Sequence, residues 1–201
     1  LTEVVLVLAT GGLHLLFENV FHLKAPFIAL AGLFWAGWVT VQLRRRPGIA
    51  RVWGFRRDTL PAAALACGAI SLVAAGGMLY IGARTARLPL PAHFWLVAPL
   101  YPVWGVIQQF LLNALLARNL ATRLPVAVAV PLAAALFGMV HLPDHELAVL
   151  SSMAALAWVP IWLRWPNLWA LGVSHGLLGA LAYYLVLGRD VWLELTRGGT
   201  P

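Results

Sequence analysis

The sequence predicts an all-α, polytopic membrane protein, on three observations. Hydrophobic residues fill 62% of its 201 positions and charged residues only 10%, against about 25% charged in a soluble domain. The apolar residues gather in stretches close to the roughly 20 residues a helix needs to cross a bilayer. No stretch shows the period-2 alternation of a strand, and an open sheet would leave its edges unsatisfied in lipid. The mean hydropathy of +0.84 agrees.

Taken in order, the apolar stretches predict helices over about 1–21, 25–43, 60–82, 94–117, 125–142, 147–164 and 167–188, about seven spans in a single integral-membrane domain over 1–201. The first could mimic a signal peptide, but it has neither a basic leader nor a small-residue cleavage site and reads as a span. Pro26, Pro61, Pro102 and Pro125 fall near helix starts, where a missing N–H is tolerated. Gly32, Gly37, Gly68, Gly76, Gly77, Gly172, Gly176 and Gly179 suit close helix packing. The last three share a face with His175. Cys67 is the only cysteine, which excludes disulfide frameworks and cysteine-based zinc sites.

The net charge of +7 does not point to nucleic acid, because the arginines cluster in short loops between spans. Topology and anionic lipid account for them. Arg44, Arg45, Arg46, Arg51, Arg56 and Arg57 share one loop, and with seven spans Arg118, Arg123 and Arg164 fall on the same side. Lys24, Arg84, Arg87, Arg189 and Arg197 fall on the other. The bias predicts an inner (plasma) membrane protein of bacterial type, N-terminus in and C-terminus out. Trp53 and Phe55 give the arginine loop an interfacial character.

Few polar residues interrupt the spans, and they carry the functional reading. Gln108 and Gln109 sit mid-helix; Gln109 and Asn113 are one turn apart on one face, with Gln108 about 100° away. His141 ends the fifth span, one turn after Phe137, and His175 lies within the seventh. Intramembrane polar groups face the bundle interior, so the fourth, fifth and seventh helices would pack around a shared polar centre. Each residue alone also reads as interhelical glue, worth about 1 kcal/mol. At about 1.5 Å per residue, His141 falls near the outer end of its span and His175 about 12 Å from the cytoplasmic start of its own. A common centre therefore requires helix tilt, shorter spans or a re-entrant segment.

The order Gln108-Gln109-x-x-x-Asn113, Phe137-x-x-x-His141 and His175-x-x-x-Gly179 resembles the motifs of the CAAX-protease and bacteriocin-processing (CPBP, or Abi) family of intramembrane proteases. Those motifs are Glu-Glu-x-x-x-Arg, Phe-x-x-x-His and His-x-x-x-Asn/Asp. The likeness covers roughly residues 94–188, including the Pro166-Asn-Leu-Trp169 lead into the last span. It implies a CAAX-protease-like helical bundle and hydrolysis of a hydrophobic or lipidated peptide within the membrane. Gln108 would stand at the catalytic glutamate, Gln109 at its neighbour and Asn113 at the arginine, with His141 and His175 matching directly. The departures weigh against the family's mechanism. A glutamine amide has no usable proton affinity near neutral pH and cannot serve as general base, although it can position water or bond a carbonyl. Losing the glutamates and the arginine together leaves a neutral polar site.

Two other readings stand beside the endopeptidase. One is a catalytically inactive relative that binds or scaffolds a protein partner. The other is a metalloenzyme acting on an apolar substrate, with His141 and His175 as ligands. His14, Glu18 and His22, spaced i, i+4, i+8, would add imidazole and carboxylate donors suited to zinc or iron. Against that, Glu18 and His22 also suit the polar end of the first helix, and two turns separate His14 from His22. His93 and His145 read as loop residues.

Overall fold

The computed structural model describes residues 2–197, with side chains through Glu194. The chain runs through α1 (Thr2–Asn19), α2 (Lys24–Arg45), the single turn α3 (Ile49–Val52), α4 (Leu60–Arg84) and α5 (Phe94–Val97). A 3-10 turn leads into α6 (Tyr101–Gln109), which continues as a π-helical stretch (Phe110–Ala117) and α7 (Arg118–Ala121). Then come α8 (Val126–Met139), α9 (His145–Arg164), α10 (Leu168–Leu181) with a π-helical extension (Ala182–Leu187), and α11 (Val191–Arg197). There is no strand among the described residues, as expected where backbone groups must be satisfied within each segment.

Among the described residues five helical stretches are long and apolar enough to cross a membrane: Lys24–Arg45, Leu60–Arg84, Phe94–Ala121, His145–Arg164 and Leu168–Leu187. α8 is apolar but has only 14 residues. Their outer faces carry large exposed side chains, among them Leu33, Leu65, Leu72 and Val73 at 72–79% exposure. That much apolar surface is suited to lipid rather than water. The helix starts follow local chemistry. Pro61 lies in the first turn of α4, and Pro125 caps α8. The Asp144 carboxylate accepts the Leu147 N–H (3.1 Å) and the Asn167 side chain accepts the Ala170 N–H (3.1 Å), capping α9 and α10. Each such cap satisfies an N–H that the helix leaves open.

The chain divides into two compact units, residues 1–56 with 110–166, and 57–109 with 167–201. In the first, α1 packs on the π-helical stretch and α8 on α9. Glu3 accepts hydrogen bonds from Arg118 Nη2 and Asn119 Nδ2, both at 2.6 Å, tying the start of α1 to α7. The approach of α8 to α9 depends on Gly138, where an added Cβ would lie 2.6 Å from the Ala148 carbonyl oxygen.

In the second unit α10 packs on both α6 and α4. The contact with α6 is backbone to backbone. A Cβ on Gly105 would collide with the Gly172 carbonyl oxygen and lie 2.8 Å from Gly176 N, while one on Gly176 would lie 2.5 Å from Pro102 Cα. The expected small-residue face on α10 therefore exists at Gly172 and Gly176. At Gly179 an added Cβ would make ordinary contact with Tyr101, at 3.5 Å. The expectation fails at Gly32, Gly37, Gly68, Gly76 and Gly77, which face open space, because α2 and α4 turn those positions outward. The glycines that govern packing include Gly105 and Gly138, which composition alone did not distinguish.

Candidate functional site

The close approach of α6 and α10 brings the two helices' polar groups together. Gln109 is the last residue of α6 and is completely buried. Its side-chain amide donates to His175 Nδ1 at 3.0 Å. His175 is half-buried. A ring nitrogen that accepts a hydrogen bond carries no proton in the neutral ring, so the proton resides on Nε2. The preceding residue, Ser174, is 3% exposed and shares a hydrogen bond of 2.8 Å with Ser71 of α4, which sets α10 between its two neighbours. Gln108, one position away, is half-buried.

No carboxylate belongs to the middle of these helices. The acids of this unit are Asp58, Asp190 and Glu194, and Asp190 follows His175 by 15 residues, about 22 Å along a helix. The centre is therefore a donor–acceptor pair without a carboxylate. A ring nitrogen that carries the proton cannot remove one.

Asn113 and His141 belong to the first unit. Asn113 is buried in the π-helical stretch. π-helical turns recur at functional positions, and this one directly follows Gln109. His141 follows the end of α8, where its Nδ1–H donates to the Phe137 carbonyl at 2.9 Å, and the two rings meet edge to face. The expected Phe137–His141 adjacency is thus realised within one turn. Because a carbonyl only accepts, the His141 proton is held on Nδ1 and Nε2 is the lone-pair end.

In the same unit His14 Nε2 lies 2.9 Å from Glu18, which also binds Lys24 Nζ at 2.5 Å. His22, by contrast, is exposed in a left-handed turn (φ 55°). Glu18 therefore serves an ion-pair cluster at the polar end of α1. Among the described residues no three His, Cys, Asp or Glu side chains gather as a metal-holding group.

One cluster escaped the sequence reading. His93 Nε2 lies 2.6 Å from Asp190 Oδ2, and Asp190 Oδ1 accepts from Tyr184 Oη (3.1 Å) and from the N–H groups of Trp192 (3.1 Å) and Leu193 (3.2 Å). The His93 ring stacks on Trp192. Desolvation pushes the Asp190 carboxyl up, but the hydrogen bonds from His93, the Leu193 N–H and Tyr184 outweigh it. They hold the group below its ordinary value of 3.8. Nearby, the Arg87 guanidinium donates to the carbonyls of Leu185 (3.0 Å) and Val186 at the end of the π-helical extension, where cations suit the exposed carbonyls. These contacts join residues 97–99 apart, and no local spacing signals them. The cluster anchors the end of α10 rather than forming a reactive centre.

Comparison with protein families, curated proteins and solved structures gave no match to this chain.

Proposed function

We propose that this is a multi-pass membrane protein of CPBP-like architecture, whose Gln109–His175 pair binds the backbone carbonyl of a hydrophobic or lipidated peptide within the bilayer. In this reading all seven apolar helices contribute to the membrane domain. The N-terminus faces the cytoplasm of a bacterial-type cell, and the protein resides in the inner membrane. The observation that carries the binding role is the hydrogen bond from the buried Gln109 amide to His175 Nδ1 (3.0 Å), which makes His175 Nε2 a donor. A ring N–H held in one tautomer suits a carbonyl, which only accepts. Gln108 would supply a second amide beside it.

Hydrolysis of the bound peptide is the second reading. The order of the three motifs favours it, with Gln108, Gln109, Asn113, His141 and His175 standing where the family's site residues are found. The chemistry opposes it, since neither glutamine is a base.

The test uses the reconstituted full chain and a fluorescent prenylated peptide. The expected result is saturable binding without cleavage. Gln109→Leu and His175→Ala should each weaken binding about tenfold, the equivalent of one hydrogen bond of roughly 1.4 kcal/mol. Cleavage by the wild type that disappears in His175→Ala would establish the enzyme instead. Binding no stronger than that of an unlipidated polar peptide would end both readings.

A further inference from the structure

We propose that the arginine elbow after α2 is a binding site for anionic phospholipid headgroups. Arg44 and Arg45 close α2, and Arg46 caps it, its N–H bonding Gln42 O. All three are exposed, and α2 is itself long and apolar enough to cross the bilayer. The row therefore stands where that span leaves the hydrocarbon, at headgroup level. No acidic residue occurs from 44 to 57, while Arg51, Arg56 and Arg57 add three further positive charges.

The elbow is ordered rather than a loose tether. The Ile49 N–H bonds Arg46 O (3.1 Å), Trp53 N–H bonds Ile49 O (2.9 Å) and Phe55 N–H bonds Ala50 O (2.9 Å). Gly48 and Gly54 take left-handed φ values of 85° and 88°, which a glycine adopts without strain. Trp53 is 1% exposed and packs against Trp38 and Phe110, with ring centroids 5.7 and 5.2 Å away. The buried anchor turns α3 back on the body of the unit, so the arginines project from a fixed base.

Other arginines behave differently. Arg118 is bound to Glu3, Arg87 caps carbonyls, Arg123 bonds Asn119 O and Arg164 lies over Trp165. Three outward arginines on an ordered turn form a multivalent surface, and guanidinium forks match phosphate oxygens. This inference is independent of what the Gln109–His175 pair binds.

The experiment measures retention of phosphatidylglycerol against phosphatidylcholine of the same acyl chains by native mass spectrometry of the purified full chain. Wild type should prefer phosphatidylglycerol. The triple variant Arg44→Gln, Arg45→Gln, Arg46→Gln should lose about fivefold of that preference per arginine. The charge-matched control Arg84→Gln, Arg123→Gln, Arg164→Gln should keep it. Equal loss in both variants would reduce the effect to net charge and overturn the proposal, as would the absence of a preference in wild type. Because the triple variant also alters the topology signal, wild type is titrated with salt as well. The preference should collapse at high ionic strength, and a salt-independent preference would contradict the headgroup site.

Discussion

His141 and His175 look alike in sequence, each a lone imidazole beside apolar helix residues. The structure anchors both through Nδ1, but in opposite senses. His141 donates to a backbone carbonyl of its own helix, Phe137 O, and its tautomer follows from an acceptor that can do nothing else. His175 accepts from a side chain on another helix, Gln109 Nε2, so its tautomer depends on the orientation of an amide. The first arrangement is local and survives rearrangement of neighbouring helices. The second exists only while α6 and α10 touch. A histidine held by its own turn reads as structural, with its lone pair on Nε2. A histidine held across a helix contact, with Nε2–H as donor, reads as a binding group.

The largest expected effect follows from that dependence. Gly105→Ala places a methyl against the Gly172 backbone, which cannot rotate away. Overpacking of this kind costs about 1–3 kcal/mol or more. The variant should lower the unfolding midpoint in detergent sharply and abolish the Gln109–His175 bond while leaving His141 unchanged. Gly179→Ala, meeting only Tyr101 at 3.5 Å, should be close to neutral in the same assay. Next comes Glu3→Leu in the first unit, which removes the carboxylate that Arg118 and Asn119 share. A loss of about 1–3 kcal/mol is expected in the unfolding midpoint, with the His175 signal unmoved.

Gln109→Leu should cost slightly less, about 1–2 kcal/mol, by leaving His175 Nδ1 without its donor. Gln109→Glu sharpens the contrast further, because a carboxylate accepts only and would force the proton onto Nδ1, the state His141 already has. The smallest effect concerns Asp190. Its folded pKa is depressed, so its contribution is complete above the ordinary value of 3.8 and is lost as pH falls through the lower folded value. Acid titration should release α11, read as Trp192 fluorescence, only below the usual carboxylate range, and Asp190→Asn should remove that transition.

Much of the helical layout was legible, because span length and hydropathy are local properties. Pro61 and Pro125 do mark helix starts, and the stretch 147–164 lies within a capped helix, α9. The pairing of a glutamine with His175 was legible only as a convergence of scarce polar residues. Which glutamine, and through which atom, depended on the rotation of α6, set by contact at Gly105. The π-helical turns after Gln109 and Leu181 had no sequence signal, since they reflect packing rather than propensity. The His93–Asp190 link was missed for a different reason: both residues lie outside the apolar helices, where hydropathy carries no pairing information.

The measurement that bears most directly on this account is solid-state 15N NMR of the histidine rings in lipid, with His141→Gln and His175→Gln to assign them. Two neutral imidazoles in opposite tautomers are expected, His141 protonated at Nδ1 and His175 at Nε2. A His175 ring protonated at Nδ1, with the Gln109 carbonyl as acceptor, would contradict that expectation and place a lone pair where the binding reading requires a donor.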